Sequence, residues 1–244
     1  MAEVIQGLWV GSTLTVMERL SIASFLKHGH PYHLYVYDDV GKVPPGAVLR
    51  DAASILPRSR IFQYHRHETY SGFANFFRYK LLMEQGGWWA DTDTVCLRPW
   101  DFGRELVFAS ERAHGQVRIA NGMLRAPRAS PVMTLAWLAC DRVAHPEEMA
   151  WGEMGPRLVT RLVGLLGLEV NVADSQVFCP VDCDQWERVL APAIDWHFGP
   201  ETYAVHLWNE MWRRRGRDKQ ASYPPDCLYE RLKREYLAAD HPSV

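Results

Sequence analysis

Two carboxylates separated by one residue, Asp91 and Asp93, are the clearest candidates for chemistry in this 244-residue sequence. The apolar run at 88–90 predicts a β-strand that ends directly before them. Residues two apart on an extended chain share a face, so both carboxylates point the same way. Their mutual repulsion would be relieved by a divalent cation, which could hold a substrate diphosphate and neutralise the charge that develops on it. An ordinary solvated turn is the alternative.

Asn75 and Arg78 are a second pair of candidates, in the helix predicted just upstream. Residues three apart share one helical face, so the two side chains can contact one ligand. Arginine offers a planar set of donors for phosphate or hydroxyl oxygens, and asparagine can both donate to and accept from a sugar hydroxyl. Taken alone, Arg78 could equally be an exposed helix arginine.

A β-α-β unit opens the chain and begins the framework that must position these residues. An apolar run at 4–10 predicts a strand, a Ser/Thr cap and helical spacing at 14–26 predict a helix, and β-forming residues at 33–37 predict a second strand. By the crossover rules the two strands are parallel neighbours in an α/β sheet.

Strands and helices then alternate without a linker or a repeat. We predict strands at 88–91, 105–110, 117–126 and 203–208, helices at 73–85, 131–143, 153–166 and 228–237, and a loop with a short helical turn at 41–60. Gly86-Gly87 is the predicted stop of the helix at 73–85. The expected fold is α/β, a single domain with a mixed sheet flanked by helices.

Composition narrows the class of protein. The 27 Lys+Arg nearly cancel the 29 Asp+Glu, so binding of nucleic acid through general electrostatics is not expected. The five cysteines are scattered and follow no secretory signal, which favours unpaired thiols in a reducing compartment. Without an apolar run of about 20 residues, no membrane span is expected, and we predict a cytoplasmic protein.

The run 76–99, with Arg78, Gly86-Gly87 and Asp91-Thr92-Asp93 in register, resembles the DXD signature of glycosyltransferase family 32. That family includes globotriaosylceramide-synthase-like and capsular-polysaccharide-type transferases. The similarity extends from the strand at 6–11 through Asn121 and 155–156 to the segment 205–209, which is most of the chain.

This resemblance implies a GT-A fold with a Rossmann-like mixed sheet and a transferase that uses a nucleotide-diphosphate sugar. It implies Mn²⁺ or Mg²⁺ as cofactor, a UDP-sugar donor, and a glycan, lipid-linked or other hydroxyl acceptor, usually with retention of anomeric configuration. The single domain 1–244 would comprise a nucleotide-sugar-binding half at 1–100, an acceptor half at 101–212, and a basic C-terminal segment and helix at 213–244.

The family's roles fall on particular residues of this chain. By resemblance, Asp91 would lie against the ribose and the donor sugar, and Asp93 would bind the metal. Arg78 and Asn75 would hold the donor sugar, and Asn121 would face its anomeric carbon. Relatives often have Ser-Asp where this chain has Ala74-Asn75. That departure leaves hydrogen bonding intact but removes a charge, so it bears on donor choice more than on catalysis.

The remaining site residues come from the ends of predicted strands. His206 or Asn209 would complete the metal shell, and imidazole suits Mn²⁺-like ions better than Mg²⁺, although a lone histidine in an apolar strand is often a core residue. Trp9 could stack on the nucleobase, with Tyr37 and Asp39 at the end of the neighbouring strand. The donor site predicted in full comprises Trp9, Gly11, Asp39, Asn75, Arg78, Tyr79, Asp91 and Trp208.

Tryptophan is abundant, with 10 in the chain, and four of these residues could stack on sugar rings, although core packing is the expected role of at least two of the four. The four candidates are Trp88, Trp89, Trp196 and Trp208. The segment 213–219 carries five cations and one Asp. It is predicted to be a lid over the diphosphate or a patch that touches anionic lipid head groups, unless it is simply a solvated face.

Two other functions fit part of the pattern. Asp91-Thr92-Asp93-Thr94-Val95 also matches the nucleophile loop of haloacid-dehalogenase-type phosphatases, which would need a later acidic pair such as Asp182 and Asp184. A catalytically silent nucleotide-sugar-binding module is the second alternative. Should transfer invert the anomeric configuration, Glu153 or Asp195 could serve as the base.

Overall fold

The structure is a computed structural model that describes residues 3–65 and 67–237. The end of the basic segment, 238–244, lies outside the described residues. The strands are β1 (Ile5–Trp9), β2 (Tyr32–Val36), β3 (Val48–Asp51), β4 (Gly87–Ala90), β5 (Thr94–Cys96), β6 (Val107–Ala113), β7 (Gln116–Ala126) and β8 (Ala204–His206). The α-helices are α1 (Val16–Lys27), α2 (Ser71–Glu84), α3 (Pro131–Asp141), α4 (Leu158–Leu165), α5 (Ser175–Phe178), α6 (Asn209–Arg214) and α7 (Leu228–Leu237).

Six strands form one mixed sheet in the order β3-β2-β1-β4-β7-β6. The first four strands in this order are parallel, as the β-α-β pattern predicts, whereas β7 runs antiparallel to both β4 and β6. A second, two-stranded sheet pairs β5 with β8. The α/β class with a mixed sheet and flanking helices is confirmed, and the carboxyl end of β4 lies at the centre of the large sheet.

Alternating side chains of the large sheet form two separate hydrophobic layers. Trp88 packs into a layer with α1 and α7, while its neighbour Trp89 packs into another with α2, α3 and α4. Both indoles are almost fully buried. Because helices cover both faces, the central strand β4 is apolar throughout, and the one polar residue of β1, Gln6, is buried and donates to the Gly86 and Trp88 carbonyls.

Helix α2 ends where the sequence predicts, at a pair of glycines. Gly86 and Gly87 have φ values of 71° and 92°, in the left-handed region that side chains disfavour. A Cβ at Gly86 would also come within 2.5 Å of the Arg128 amide nitrogen. These glycines let the chain turn directly from α2 into β4, which fixes Arg78 relative to Asp91.

Three predictions of local structure are wrong in part. The loop predicted at 41–60 contains β3, an edge strand whose four residues are all exposed, so it has no buried face to reveal it. The helix predicted at 153–166 is regular only over α4, because Gly155 and Pro156 make an irregular turn before it. The strand predicted at 203–208 stops at His206, since Trp208 has a φ of 59°.

Other features match the predictions. Helix α1 begins after Thr15, whose backbone N–H and hydroxyl both donate to Glu18 in a capping box. The final helix α7 has the predicted bounds. All five cysteines are free thiols. Over residues 3–65 and 67–237, no helix is long and apolar enough to cross a membrane.

Candidate functional site

Asp91 and Asp93 lie in the tight connection between β4 and β5. The backbone N–H of Asp91 donates to the Gly122 carbonyl on β7 at 2.8 Å, and the Thr94 N–H donates to the Asp91 carbonyl at 3.0 Å. These bonds fix the turn beyond the carboxyl end of β4, in the middle of the sheet. Ligands of open α/β sheets bind at the carboxyl ends of the strands.

His206 reaches the same turn through the small sheet, in which Thr94 is paired with His206. Its Nε2 atom lies 3.1 Å from Oδ2 of Asp93. The same carboxylate oxygen accepts the backbone N–H of Asn209 at 2.8 Å. The left-handed backbone of Trp208 makes this second contact possible, because it turns the chain so that α6 starts beside Asp93.

The Asp93–His206 contact controls the charge of both groups. Burial alone would lower the pKa of His206, but the charge of Asp93 and the hydrogen bond to it raise that pKa well above its ordinary value. Burial would raise the pKa of Asp93, but His206 and the Asn209 N–H lower it. Both shifts favour an imidazolium facing a carboxylate.

Three groups could hold a divalent metal. Single ligand atoms of Asp91, Asp93 and His206 all lie within 4.8 Å of one another. Two carboxylate oxygens and one imidazole nitrogen form a donor set that suits Mn²⁺-like ions. These residues therefore fit the metal that the sequence predicts. Asn209 contacts Asp93 through its backbone N–H and lines the adjacent cavity.

Arg78 is a buried residue that joins α2 to the acidic turn. One Nη atom donates to Oδ1 of Asp91 at 2.5 Å and the other donates to the Asn121 carbonyl. Its guanidinium lies 4.9 Å from the centre of the Trp89 ring, whose Nε1 also donates to Oδ1 of Asp91. Burial raises the pKa of Asp91, and the positive charge of Arg78 opposes that rise.

A network of neutral polar groups lies beside this ion pair. The Asn121 amide donates to Oδ1 of Asn75 at 2.7 Å and to the Tyr79 hydroxyl at 3.2 Å. Gly155 packs against it so closely that a Cβ there would lie 3.0 Å from Nδ2 of Asn75. The network fixes the orientation of both amides at the wall of the cavity.

A cavity of about 370 Å³ brings most of the predicted residues together. Nine of them line it, namely Trp9, Asn75, Arg78, Asp91, Asp93, Asn121, His206, Trp208 and Asn209. This volume and the mixture of aromatic and charged walls are typical of a site for a small polar ligand.

Three predicted donor-site residues do not line the cavity. Tyr79 is fully buried behind Asn121. Gly11 lies behind Trp9, where a Cβ would approach the indole nitrogen to 3.2 Å. Asp39 is exposed in the turn after β2, and the neighbouring Tyr37 hydroxyl donates to the Leu56 carbonyl. Tyr79 and Gly11 are therefore placed to support cavity residues, whereas Asp39 is not.

The four tryptophans predicted to stack on sugars separate into two groups. Trp89 and Trp208 line the cavity, although the indole N–H of Trp208 is bonded to the Val181 carbonyl. Trp88 lies in the core, and Trp196 packs on Phe198 away from the cavity. Trp151, which the sequence did not single out, also lines the cavity.

Ion pairs connect the basic segment 213–219 to acidic residues of the chain. Arg213 and Arg214 both contact Glu210, Arg217 contacts Glu187, and Lys219 lies 2.5 Å from the buried carboxylate of Glu18. Arg213 also lines the cavity. Four of the five cations therefore have partners within the chain, and one of them faces the ligand space.

Comparison with known proteins identifies this arrangement. Residues 17–111 match the model of the glycosyltransferase sugar-binding region containing the DXD motif, and residues 141–236 match that of the alpha 1,4-glycosyltransferase conserved region. The chain belongs to the family 32-like glycosyltransferases. Its DXD motif is Asp91-Thr92-Asp93, within the first matched region.

Two relatives illustrate the extent of the match. The chain is 24% identical over 185 residues to alpha-1,4-N-acetylglucosaminyltransferase of Homo sapiens, covering 66% of this chain but 51% of that protein. It therefore spans about half the length of this curated relative. The PaToxG glycosyltransferase aligns with a TM-score of 0.52 at 15% identity, covering 69% of this chain and 72% of that chain. The fold is GT-A.

The phosphatase alternative is excluded by this family assignment and has no support from the geometry. Asp182 is paired with Arg112, and Asp184 accepts the backbone N–H of His114. Neither carboxylate lines the cavity. Glu153 and Asp195, considered as bases for inverting transfer, also lie outside it.

Residues of the cavity that the sequence did not reveal come mostly from irregular segments and from the β6–β7 hairpin. They include Tyr64, Glu68, Tyr70, Glu111, Arg118, Trp151 and Glu210. Alternation along β6 and β7 could have placed Glu111 opposite Arg118, but nothing in the sequence indicates that this pair faces the DXD motif of the glycosyltransferase.

Proposed function

We propose that this chain transfers a hexose from a UDP-sugar to a hydroxyl group of a glycan, a glycolipid or another acceptor, in a metal-dependent reaction that retains the anomeric configuration. The observation that carries the proposal is the convergence of Asp91, Asp93 and His206 within 4.8 Å, next to the buried Arg78. A cluster of this charge and geometry is suited to a diphosphate bound through a cation.

The metal, Mn²⁺ or Mg²⁺, would be held by Asp93 and His206, with Asp91 within reach and Asn209, which lines the same cavity, as a further candidate ligand. When bound, the cation would neutralise charge on the leaving diphosphate. Asp93 is held for this role by the Asn209 N–H, and Asp91 is held by Arg78 and Trp89. Each carboxylate is thus oriented by a neighbour before any ligand binds.

The donor would lie across the carboxyl ends of β1 and β4. Trp9, the last residue of β1, lies in the cavity wall and offers a flat face for uracil, while Asn75, Arg78 and Asn121 surround the position of the sugar. Asn75 presents an amide where related enzymes often carry a carboxylate. A neutral amide favours a donor hydroxyl or acyl oxygen over a cationic group, so residue 75 would contribute to donor choice.

Retention is proposed because most carboxylates of the cavity already have a cationic partner. Asp91 pairs with Arg78, Asp93 with His206, Glu111 with Arg118, and Glu210 with Arg213. Among the described cavity carboxylates this leaves Glu68, which is exposed, as the base that an inverting route would need.

Calorimetry with a panel of nucleotide sugars and Mn²⁺ tests the donor. UDP-hexoses are expected to bind, and binding is expected to weaken strongly when EDTA is added. Preference for a phosphorylated molecule without a nucleotide would contradict the proposal. Binding without turnover on any hydroxyl acceptor would instead indicate a catalytically silent nucleotide-sugar-binding module.

The stereochemical part is tested separately, by NMR of the product's anomeric carbon. Retention predicts the donor's configuration in the product. An inverted product that disappears in the Glu68→Gln variant would identify the inverting route.

A further inference from the structure

An ion pair in the wall of the cavity has no role in the proposed donor site. Glu111 on β6 lies directly opposite Arg118 on β7, and the Arg118 Nε donates to Oε1 of Glu111 at 2.5 Å. The Glu111 side chain is 6% exposed and that of Arg118 is 42% exposed, and both line the cavity. A charged pair with one buried member, facing ligand space, is suited to recognition more than to stability.

The pair is separated from the nucleobase end of the cavity by the width of the sheet. In the order β1-β4-β7-β6, Trp9 is the last residue of the first strand and Glu111 lies on the last strand. Three strand spacings amount to about 14 Å, with Asp91 between the two ends. A donor held by Trp9, Arg78 and Asp91 therefore leaves the β6 end of the cavity for the second substrate.

The β6 end is also close to the metal-binding residues. Cys183 lines the cavity beside the pair, and burial raises the pKa of its thiol. Glu111, Arg118 and His206 line the same cavity as Cys183. Gly122, on the strand that carries Arg118, packs against the DXD turn so closely that a Cβ there would lie 2.9 Å from Oδ2 of Asp91. A molecule held by the pair would therefore lie next to the position expected for the donor sugar.

The atoms still available on the pair define the kind of ligand. In residues 3–65 and 67–237, the hydrogen bonds of these two side chains use only Nε of Arg118 and Oε1 of Glu111. The two Nη groups of Arg118 remain as donors, and Oε2 of Glu111 remains as an acceptor. Adjacent sugar hydroxyls need this combination, since each hydroxyl both accepts and donates. The opposite charges also offset each other, which disfavours a strongly charged ligand.

We propose that Glu111 and Arg118 form an acceptor subsite that binds neighbouring hydroxyls of a neutral sugar. This inference rests on the proposed transferase function and adds the acceptor class and the residues that select it. Arg112 supplies a matched control. It lies on β6 next to Glu111, pairs with Asp182, and does not line the cavity.

The test measures two affinities in each of four proteins: the unmodified chain, Arg118→Gln, Glu111→Gln and Arg112→Gln. UDP-hexose binding with Mn²⁺ is measured by calorimetry. Binding of methyl glycosides of galactose, glucose and N-acetylglucosamine is measured by NMR with UDP and Mg²⁺, and methyl glucuronide serves as the anionic counterpart. We expect Arg118→Gln and Glu111→Gln to raise the ratio of glycoside Kd to UDP-hexose Kd about tenfold, the effect of losing one or two hydrogen bonds, and Arg112→Gln to leave it unchanged.

Several outcomes would overturn the subsite. An unchanged ratio in Arg118→Gln would do so, as would an equal loss of UDP-hexose binding, which would place the pair in the donor site. Tighter binding of glucuronide than of the neutral glycosides would show that Arg118 selects an anion. An unmodified chain that binds UDP-hexose but no neutral glycoside also contradicts the subsite alone. An unmodified chain that binds no nucleotide sugar contradicts the proposed function itself.

Discussion

The imidazole Nε2 of His206 lies 3.1 Å from the Oδ2 atom of Asp93, although the two residues belong to distant parts of the chain. The β5–β8 pairing that aligns Thr94 with His206 creates this contact. It joins the DXD turn to the segment that continues into α6 and the basic run. The candidate metal site therefore depends on a small second sheet as well as on the large one.

Metal binding should tighten as the pH rises. The pKa of His206 is raised, mainly by Asp93 against the effect of burial, so the imidazole carries a proton near neutral pH. A metal needs the neutral imidazole, so binding must release that proton. Calorimetry of Mn²⁺ binding at about pH 6 and about pH 8, in buffers of different ionisation enthalpy, measures both the affinity and the proton release. His206→Asn should remove most of the pH dependence, and a pH-independent affinity without proton release would contradict this account.

When EDTA removes the metal, the Asp93–His206 pair should make the stability of the fold depend on pH. A histidine with a raised folded-state pKa stabilises the fold fully below its ordinary value of about 6.5, and this contribution is lost as the pH rises through the raised value. Asp93, whose pKa is lowered, contributes above its ordinary value and loses that contribution on acidification. Urea unfolding measured at pH values on both sides of these pKa values should show a smaller loss of unfolding free energy at high pH with Mn²⁺ present than with EDTA.

Replacing Arg78 should cost stability as well as donor binding. Arg78→Gln leaves Asp91 without its cationic partner and the Asn121 carbonyl without its donor. The Arg78 side chain is 2% exposed and that of Asp91 is 31% exposed, so the cost should lie between the about 3–5 kcal/mol of breaking a fully buried pair and the about 0–1 kcal/mol of an exposed one. Urea unfolding of Arg78→Gln beside Arg60→Gln, which disrupts the exposed contact to Asp141, measures the difference. Equal stability of the two variants would contradict the structural role assigned to Arg78.

Gly122 should be needed for the position of the Asp91 carboxylate. A Cβ at Gly122 would lie 2.9 Å from Oδ2 of Asp91, so Gly122→Ala must move that side chain. Displacements of this kind in a catalytic site lower rates by about 10- to 100-fold. Gly103→Ala is the control, since nothing lies within 4 Å of its Cβ position. Transfer rates should fall in the first variant only, and full activity of Gly122→Ala would show that Asp91 need not be held there.

The sequence predicted the part of the site that depends on local order. Asp91 and Asp93 follow a short apolar strand, as predicted, but they lie in a tight turn and not in the extended chain from which alternation was argued. Helical spacing related Arg78 to Asn75 on one helix, and it did not show that Arg78 reaches Asp91. His206 was assigned correctly to a strand, but periodicity does not show which strand it pairs with. The Asp93–His206 contact is a product of tertiary pairing between β5 and β8.

Elements without a buried face or a regular backbone were less predictable. Strand β3 is exposed along its whole length, and Gly155 with Pro156 replaces the first turn of a predicted helix by an irregular one. Asp39 was expected at the donor site because it follows a parallel strand, yet its turn faces solvent. Glu111 and Arg118 meet across a hairpin, and only the packing of that hairpin against the DXD turn brings them to the cavity.

Release of UDP from a UDP-hexose in the presence of Mn²⁺ measures whether sugar transfer depends on a metal held by Asp93. The measurement compares the unmodified chain with Asp93→Asn, and with Asp101→Asn as a control outside the cavity. Loss of several kcal/mol of metal-assisted stabilisation predicts a fall of at least about 100-fold in Asp93→Asn and no change in the control. UDP release that is the same in Asp93→Asn as in the unmodified chain would contradict the account.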